Sequence, residues 1–347
     1  MKTKWLFCLV VFLVFCQKVQ ADIPSFSVCS NTASQEEPSV SGNVVVWSDN
    51  REGKWKTYGY DFLTSTEFSI NTANVDQYAP HISGNIVVWS DDRNGNYDIF
   101  SYNLSTSSER SVCTNTATQY YATISGNIVA WQDRRNDYGN NSDIYAYNLL
   151  TNTEISVCSN SKNQTIPAVS GNKIIWQDSR NGHWDVYGYN LTENTEFSIF
   201  VSNTNKVYYD IDKDIVVWQD LRNGNWDIYG KNLTTGNEFP ICVRSGDQED
   251  VAISGNIVTW SDYRNGNWDI YGYNLNTNTE FSICTEPLTQ WRPAISGNTV
   301  IWEDGRNGNY DIYGATVPEP STIILLISNV IATGFFLLRR KKMIIET

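Results

Sequence analysis

One unit, Ile82-Ser-Gly-Asn-Ile-Val-Val-Trp-Ser-Asp-Asp-Arg-Asn-Gly-Asn-Tyr-Asp-Ile-Phe-Ser-Tyr-Asn-Leu104, recurs seven times along this sequence. Its tryptophan falls at Trp47, Trp89, Trp131, Trp176, Trp218, Trp260 and Trp302, at spacings of 42, 42, 45, 42, 42 and 42 residues. A period this regular, near 40 residues, restricts the chain to a repeat architecture, and the strand content of the unit selects which one.

Each copy reads as four short strands. Ala79 to Ser83 is apolar and ends in Gly84-Asn85, which tolerates the positive φ of a tight hairpin turn. Ile86-Val87-Val88-Trp89 follows as a β-branched and aromatic run, and Asn94-Gly95-Asn96 turns the chain into Tyr97 to Leu104. A polar turn then leads to Glu109 to Cys113. The second strand is apolar at consecutive positions, so both its faces are covered. Blades of a propeller have that property, each small sheet being sandwiched between two others around a channel.

The two ends of the repeat region complement each other. Pro24-Ser-Phe-Ser-Val-Cys29 matches a fourth strand, as in Phe281-Ser-Ile-Cys284, while the seventh copy stops after Tyr310-Asp-Ile-Tyr313. The expected fold is therefore all-β, a seven-bladed propeller of four-stranded antiparallel blades, clasped by residues 24 to 30 so that no sheet edge is left open. A linear solenoid would need capping repeats.

Outside the repeats, residues 1–21 read as a secretory signal peptide: Lys2 and Lys4, an apolar stretch from Trp5 to Cys16, and a small-residue site at Val19-Gln20-Ala21. Residues 22–316 form the propeller. After them, Val317-Pro318-Glu319-Pro320 leads into 322–338, a charge-free stretch at the short limit for a transmembrane helix, followed by Arg339-Arg340-Lys-Lys342 on the cytoplasmic side. The formal charge is −13, a balance that disfavours nucleic acid and anionic membrane as partners.

Within the unit, Asp91-x-Arg93-Asn94-Gly95-Asn96-x-Asp98 has the oxygens of a calcium loop. Yet Asp-x-Arg stands in all seven copies, among them Asp178/Arg180, Asp220/Arg222 and Asp262/Arg264, and puts a fixed cation where the metal would sit. The expectation is a structural ion pair holding the hairpin, no metal and no cofactor, with calcium as the alternative. The first copy has Lys56 at the second acid. Five cysteines, Cys29, Cys113, Cys158, Cys242 and Cys284, recur at the end of the fourth strand, too far apart on separate blades to pair. His81 and His183, the only histidines, occupy different places in different copies, and no phosphate loop or zinc motif is present. The reading is that the chain is not an enzyme.

A glutamine precedes the first strand in six copies (Gln35, Gln77, Gln119, Gln164, Gln248, Gln290), with Lys206 in the fifth. The two residues after it vary: Glu36-Glu37, Tyr78-Ala79, Tyr120-Tyr121, Thr165-Ile166, Val207-Tyr208, Glu249-Asp250 and Trp291-Arg292. These are read as loops around one mouth of the channel. Tyr78, Tyr120, Tyr121, Tyr208, Glu249, Trp291 and Arg292 are the candidate binding residues, since variable aromatic and charged groups on a rigid frame suit recognition.

Two stretches carry resemblances. Ser-Asp-x-Arg-Asn-Gly-Asn-x-Asp-Ile-Tyr, with Ser-Gly-Asn-Ile-Val-Val-Trp before it, resembles the WD40-like repeat of TolB-type propellers, most closely the 42-residue variety of archaeal and bacterial cell-surface proteins, over residues 24 to 315. That resemblance implies the propeller fold and a binding or scaffold role. The histidine-rich metal sites of TolB-like lyases have no counterpart here. The C-terminal Pro318-Glu319-Pro320, apolar stretch and Arg339-Arg340 resemble a PEP-CTERM sorting signal. This implies an exosortase-like enzyme as partner, cleavage near the Pro-Glu-Pro, and delivery to the cell surface or extracellular matrix. Without such an enzyme the chain would stay membrane-anchored, facing the periplasm. Together these features lead to the expectation of a surface module binding a polysaccharide or a surface protein, with a polysaccharide-active hydrolase or lyase as the alternative.

Overall fold

Alternating β-branched and aromatic runs separated by Gly-Asn and Asn-Gly-Asn turns leave each copy of the unit one route to a sheet, the antiparallel meander. The computed structural model describes residues 22–70, 73–136, 141–201 and 206–318. Residues 1–21, expected to be a signal peptide, together with Glu319, Pro320, the 322–338 stretch, Arg339 and Arg340, lie outside the described residues. Seven four-stranded antiparallel sheets are formed, with no helix among the described residues.

The inner strands of the seven blades are Gln35–Ser41, Gln77–Ser83, Gln119–Ser125, Gln164–Ser170, Lys206–Asp212, Gln248–Ser254 and Gln290–Ser296. Six of them thus begin at the glutamine and the fifth at Lys206, earlier than the sequence suggested, and the variable pair belongs to the strand rather than to a loop. In six blades the strands follow in chain order; in the seventh, Ser25–Cys29 is the outer strand and pairs with Asp311–Thr316. The expected closure by the N-terminal segment is what the structure has.

The second strand is buried on both faces: Val87, Val88 and Trp89, like the other six repeat tryptophans, have no exposed surface. Each apolar cluster joins two blades. Ile99, Val112 and Cys113 of blade 2 pack with Ala122, Val129, Trp131 and Tyr145 of blade 3, and Val28, Cys29, Ile301 and Ile312 of blade 7 with Val40, Val45, Trp47 and Tyr58 of blade 1. At one end of the channel, the last residue of each inner strand accepts a hydrogen bond from the next blade's turn. Ser41, Ser83, Ser125, Ser170, Asp212 and Ser254 accept from the amides of Gly84, Gly126, Gly171, Lys213, Gly255 and Gly297, and Ser296 closes the circuit by accepting from Gly42 at 3.0 Å. At the other end, the glutamine amide donates to the preceding blade's hairpin tip, as Gln77 does to the Trp55 carbonyl (2.8 Å) and Gln35 to that of Tyr310 (2.7 Å).

A candidate recognition site at one mouth of the channel

The repeated ion pair is the frame on which the mouth is built. In every blade the tryptophan Nε1 donates to the aspartate Oδ2 at 2.8–3.2 Å. The arginine grips the same carboxylate, with Arg264 Nη2 2.5 Å from Asp262 Oδ2, and Asp91/Arg93, Asp178/Arg180 and Asp220/Arg222 are built alike. Each guanidinium also lies over the ring of a third-strand Tyr or Phe, its carbon 3.7–4.2 Å from the centroid. Buried carboxylates with no exposed surface are thereby fully engaged. The second acid is engaged as well: Asn94 and Asn96 donate to Asp98 at 2.6 and 3.0 Å, so amide hydrogens stand where a calcium ion would. In blade 1 the Lys56 ammonium takes the place of these amides, donating to the Ala73 and Val75 carbonyls.

The cysteines have a part in this frame that the sequence did not reveal. Each thiol reaches across to the next blade's arginine: Cys29 to Arg51, Cys113 to Arg135, Cys158 to Arg180, Cys242 to Arg264 and Cys284 to Arg306, at 3.2–3.4 Å. All five are free and buried, and burial pushes the Cys29, Cys113, Cys158 and Cys284 thiols up to about 12.

Above this frame the inner strand carries a bulge in every blade, where the register against the second strand slips, as between Tyr120 and Thr123. The residue that absorbs the slip is Glu37, Ala79, Tyr121, Ile166, Tyr208, Asp250 or Arg292, each with φ between 48 and 55°. Left-handed backbone is uncommon in non-glycine residues and an outlier for a β-branched one such as Ile166; held in a packed strand it is a feature that re-aims side chains. Here it sets seven equivalent residues of the innermost strands in one tier, none of them fully buried. Burial raises the pKa of the Tyr208 phenol, Asp250 adds to that and Arg292 opposes it, with smaller contributions from Tyr121 and Glu249, so the charges of blades 6 and 7 are felt at blade 5.

Of the candidate residues, Tyr121, Tyr208 and Arg292 belong to this tier. Tyr78, Tyr120, Glu249 and Trp291 come one position earlier and stand on the rim. Tyr78 meets Tyr97 with centroids 5.8 Å apart, Tyr97 meets Tyr120 at 5.3 Å, and Tyr120 lies 6.3 Å from Tyr121. Trp291 packs edge-on to Trp268 at 4.4 Å, and Trp268 meets Tyr263 at 5.1 Å. Tyr97 and Trp268 sit at Asn-Gly-Asn hairpin tips, where the variable position of the repeat motif holds an aromatic in six of seven copies; that was the signal by which they could have been found.

Also missed was Glu303, where the other blades have Ser48, Ser90, Gln132, Gln177, Gln219 and Ser261. Its carboxylate, 2% exposed, accepts the Glu37 amide at 2.8 Å and lies 3.5 Å from Arg292. Burial raises it to about 7, against the pull of Arg292. Glu249 is likewise raised to about 7 and Asp250 to about 6, burial being the largest cause in both. The mouth thus holds Glu37, Glu249, Asp250 and Glu303 around Arg292, and several of its acids are able to take or give a proton near neutrality. His81 lies two residues beyond Ala79 on the blade 2 inner strand, whereas His183 is 3.1 Å from Asp185 at the hairpin tip between the second and third strands of blade 4; the two are on different strands of different blades.

No protein-family model matches the chain, and no curated protein matches it in sequence. Among solved structures it is similar to an oligogalacturonate lyase from Vibrio parahaemolyticus, at TM-score 0.66 and 11% identity over 86% of this chain and 99% of that one. It is similar also to the β-propeller domain of the Trilobed protease from Pyrococcus furiosus (0.65, 11%, 84% and 94%), described as having an open velcro topology where Ser25–Cys29 closes this ring. An acylaminoacyl peptidase from Pyrococcus horikoshii matches at 0.62 and 12% identity, over 84% of this chain and 53% of that one. The expectation that the chain is not an enzyme is corrected by these likenesses: a lyase and a peptidase carry this architecture, so two scattered histidines and the lack of a phosphate-loop or zinc motif are no ground for excluding catalysis. At such identity it is the fold that is shared, and the chain is a seven-bladed β-propeller of four-stranded antiparallel blades.

Proposed function

We propose that the protein binds a carbohydrate chain at this mouth, as an exported propeller sorted to the cell surface. The observation that carries the reading is the ring of seven left-handed bulges, which spends backbone strain to set Tyr121, Tyr208, Asp250 and Arg292 in one tier beneath rim aromatics. Aromatic faces offer large apolar area at low entropic cost, and the polar groups between them supply orientation; this combination suits the apolar faces and hydroxyl edges of sugars. Sorting rests on the Pro318-Glu319-Pro320 and Arg339-Arg340 resemblance, with an exosortase-like enzyme as partner.

A glycan array probed with purified protein, and with a variant carrying alanine at Tyr78, Tyr120, Tyr121, Tyr208 and Trp291, tests the site. Saturable binding by the wild type, lost in a variant that keeps its melting temperature, is expected; a folded wild type that binds no glycan refutes the reading. A second reading, that the mouth also cleaves what it holds, is favoured by Glu303, a buried acid raised to about 7 where other blades carry Ser or Gln. New chain ends formed from bound polysaccharide by the wild type, and abolished in Glu303→Gln, are its expected signature.

A further inference from the structure

Hairpin-tip aromatics stand in six of the seven blades, but among the described residues the rim aromatics that touch one another form two arcs. One joins Tyr78, Tyr97, Tyr120 and Tyr121 across the boundary of blades 2 and 3, with the Arg134 guanidinium over the Tyr120 ring at 5.4 Å. The other joins Tyr263, Trp268 and Trp291 across the boundary of blades 6 and 7. In a ring of seven blades these boundaries are separated by four blades one way and three the other, as near to diametrically opposite as an odd ring allows. Each arc ends in water, Tyr121 being 53% and Tyr263 43% exposed. Between the two arcs the tier holds Tyr208 of blade 5 on one side and Glu37 of blade 1 on the other.

We propose that the ligand is an extended linear polysaccharide that lies across the mouth and is held at two points, one on each arc, an inference that rests on the carbohydrate-binding reading above. Nothing in the packing of the blades requires aromatics at these positions. Blade 4 has Thr165 and Ile166 where blade 3 has Tyr120 and Tyr121, and Ser142 occupies the hairpin tip that carries Tyr97 in blade 2. The frame thus folds with a non-aromatic residue at each of these positions. Two platforms on one rigid ring convert the second contact into an intramolecular event, so a chain long enough to reach both gains affinity that a short one cannot. A monosaccharide or disaccharide site would need one platform, and the second arc would be without purpose.

The test is calorimetric titration with uncharged cello-oligosaccharides, from disaccharide to octasaccharide, against the wild-type protein, Tyr97→Ala, Trp268→Ala and the double variant. Both substitutions lie at hairpin tips, and unchanged melting temperatures establish that the variants are folded. For the wild type, affinity is expected to climb steeply, by about 100-fold, once the chain spans the mouth. Either single variant should lose that gain and bind long chains no better than short ones. The double variant should lose both. Affinity independent of chain length, or a loss confined to one arc, overturns the two-point inference while leaving carbohydrate binding in place. If the wild type binds no oligosaccharide of any length, here or on the glycan array, it is the carbohydrate reading that falls.

Discussion

At the scale of single residues, the fold is held by a buried set repeated in each blade: indole, carboxylate, guanidinium and phenol or phenyl ring. Asp262 shows what it is worth. Its carboxylate has no exposed surface and receives Trp260 Nε1 at 2.8 Å as well as Arg264. Asp262→Ala leaves the indole N–H without its acceptor and the Arg264 guanidinium with Glu280 as its one remaining carboxylate, and is expected to cost about 2–4 kcal/mol, read from the shift of a denaturant midpoint. The thiols offer a chemical check. Since burial holds them protonated, Cys29, Cys113, Cys158 and Cys284 should resist iodoacetamide in the native protein at pH 8 and react fully once it is unfolded. Glu303 gives a pH dependence of definite sign. Its pKa is raised in the fold from 4.5 to about 7. Across that window the folded state therefore binds more protons than the unfolded one, and stability falls as pH rises. Glu303→Gln removes the effect: its melting temperature should match the wild type near pH 4.5 and exceed it by on the order of a few degrees at pH 8. The Asp–Arg pair was legible because both partners recur at fixed spacing. Glu303 was not, because a lone acid following a tryptophan carries no mark of whether its carboxylate faces solvent, a neighbour's amide or a channel.

At the scale of the strand, the pattern of apolar runs and Gly-Asn turns reveals where strands lie but not where their register slips. Nothing in Tyr120-Tyr121 or Thr165-Ile166 announces a left-handed residue, since neither contains the glycine or asparagine that usually signals one. The bulge is imposed by packing, and so the variable pair was read as loop when it is strand. The opposite case is the third strand, whose glycine is explained by its partner on the outer strand. A Cβ added at Gly272 would come 2.7 Å from the Phe281 ring, and the same Gly–Phe pair recurs at Gly59/Phe68, Gly188/Phe197, Gly230/Phe239 and, across the closure, Gly314/Phe26. Blade 3 solves the position differently, with Ala146 opposite Ile155. Gly272→Ala alone should therefore destabilise by about 1–3 kcal/mol through overpacking. Adding Phe281→Ile should restore most of the loss, because that pair is already compatible with the frame; a thermal melt of both variants decides it, and no recovery in the double variant would mean that the ring contact is not what the glycine serves.

For the molecule as a whole, the seven tryptophans and the complementary ends made the ring and its closure legible before any coordinates, whereas the two aromatic arcs depend on which blades become neighbours across a mouth. Closure is made redundantly: by the Ser25–Cys29 ladder, by Cys29 to Arg51, by Gln35 to the Tyr310 carbonyl and by Gly42 to Ser296. Deleting residues 22–30 removes the first two and bares the edge of Asp311–Thr316. The truncated protein is expected to self-associate, seen as a concentration-dependent larger species by light scattering, while the intact ring does not. Asp311–Thr316 is moreover an internal strand, flanked on one side by Ser25–Cys29 and on the other by Thr299–Asp304, antiparallel to both. Tension applied to the chain beyond Thr316 and directed along that strand would load both ladders in shear, so their hydrogen bonds must rupture together instead of peeling away one by one. Load carried along that strand would thus be shared between the N-terminal strand of the ring and Thr299–Asp304.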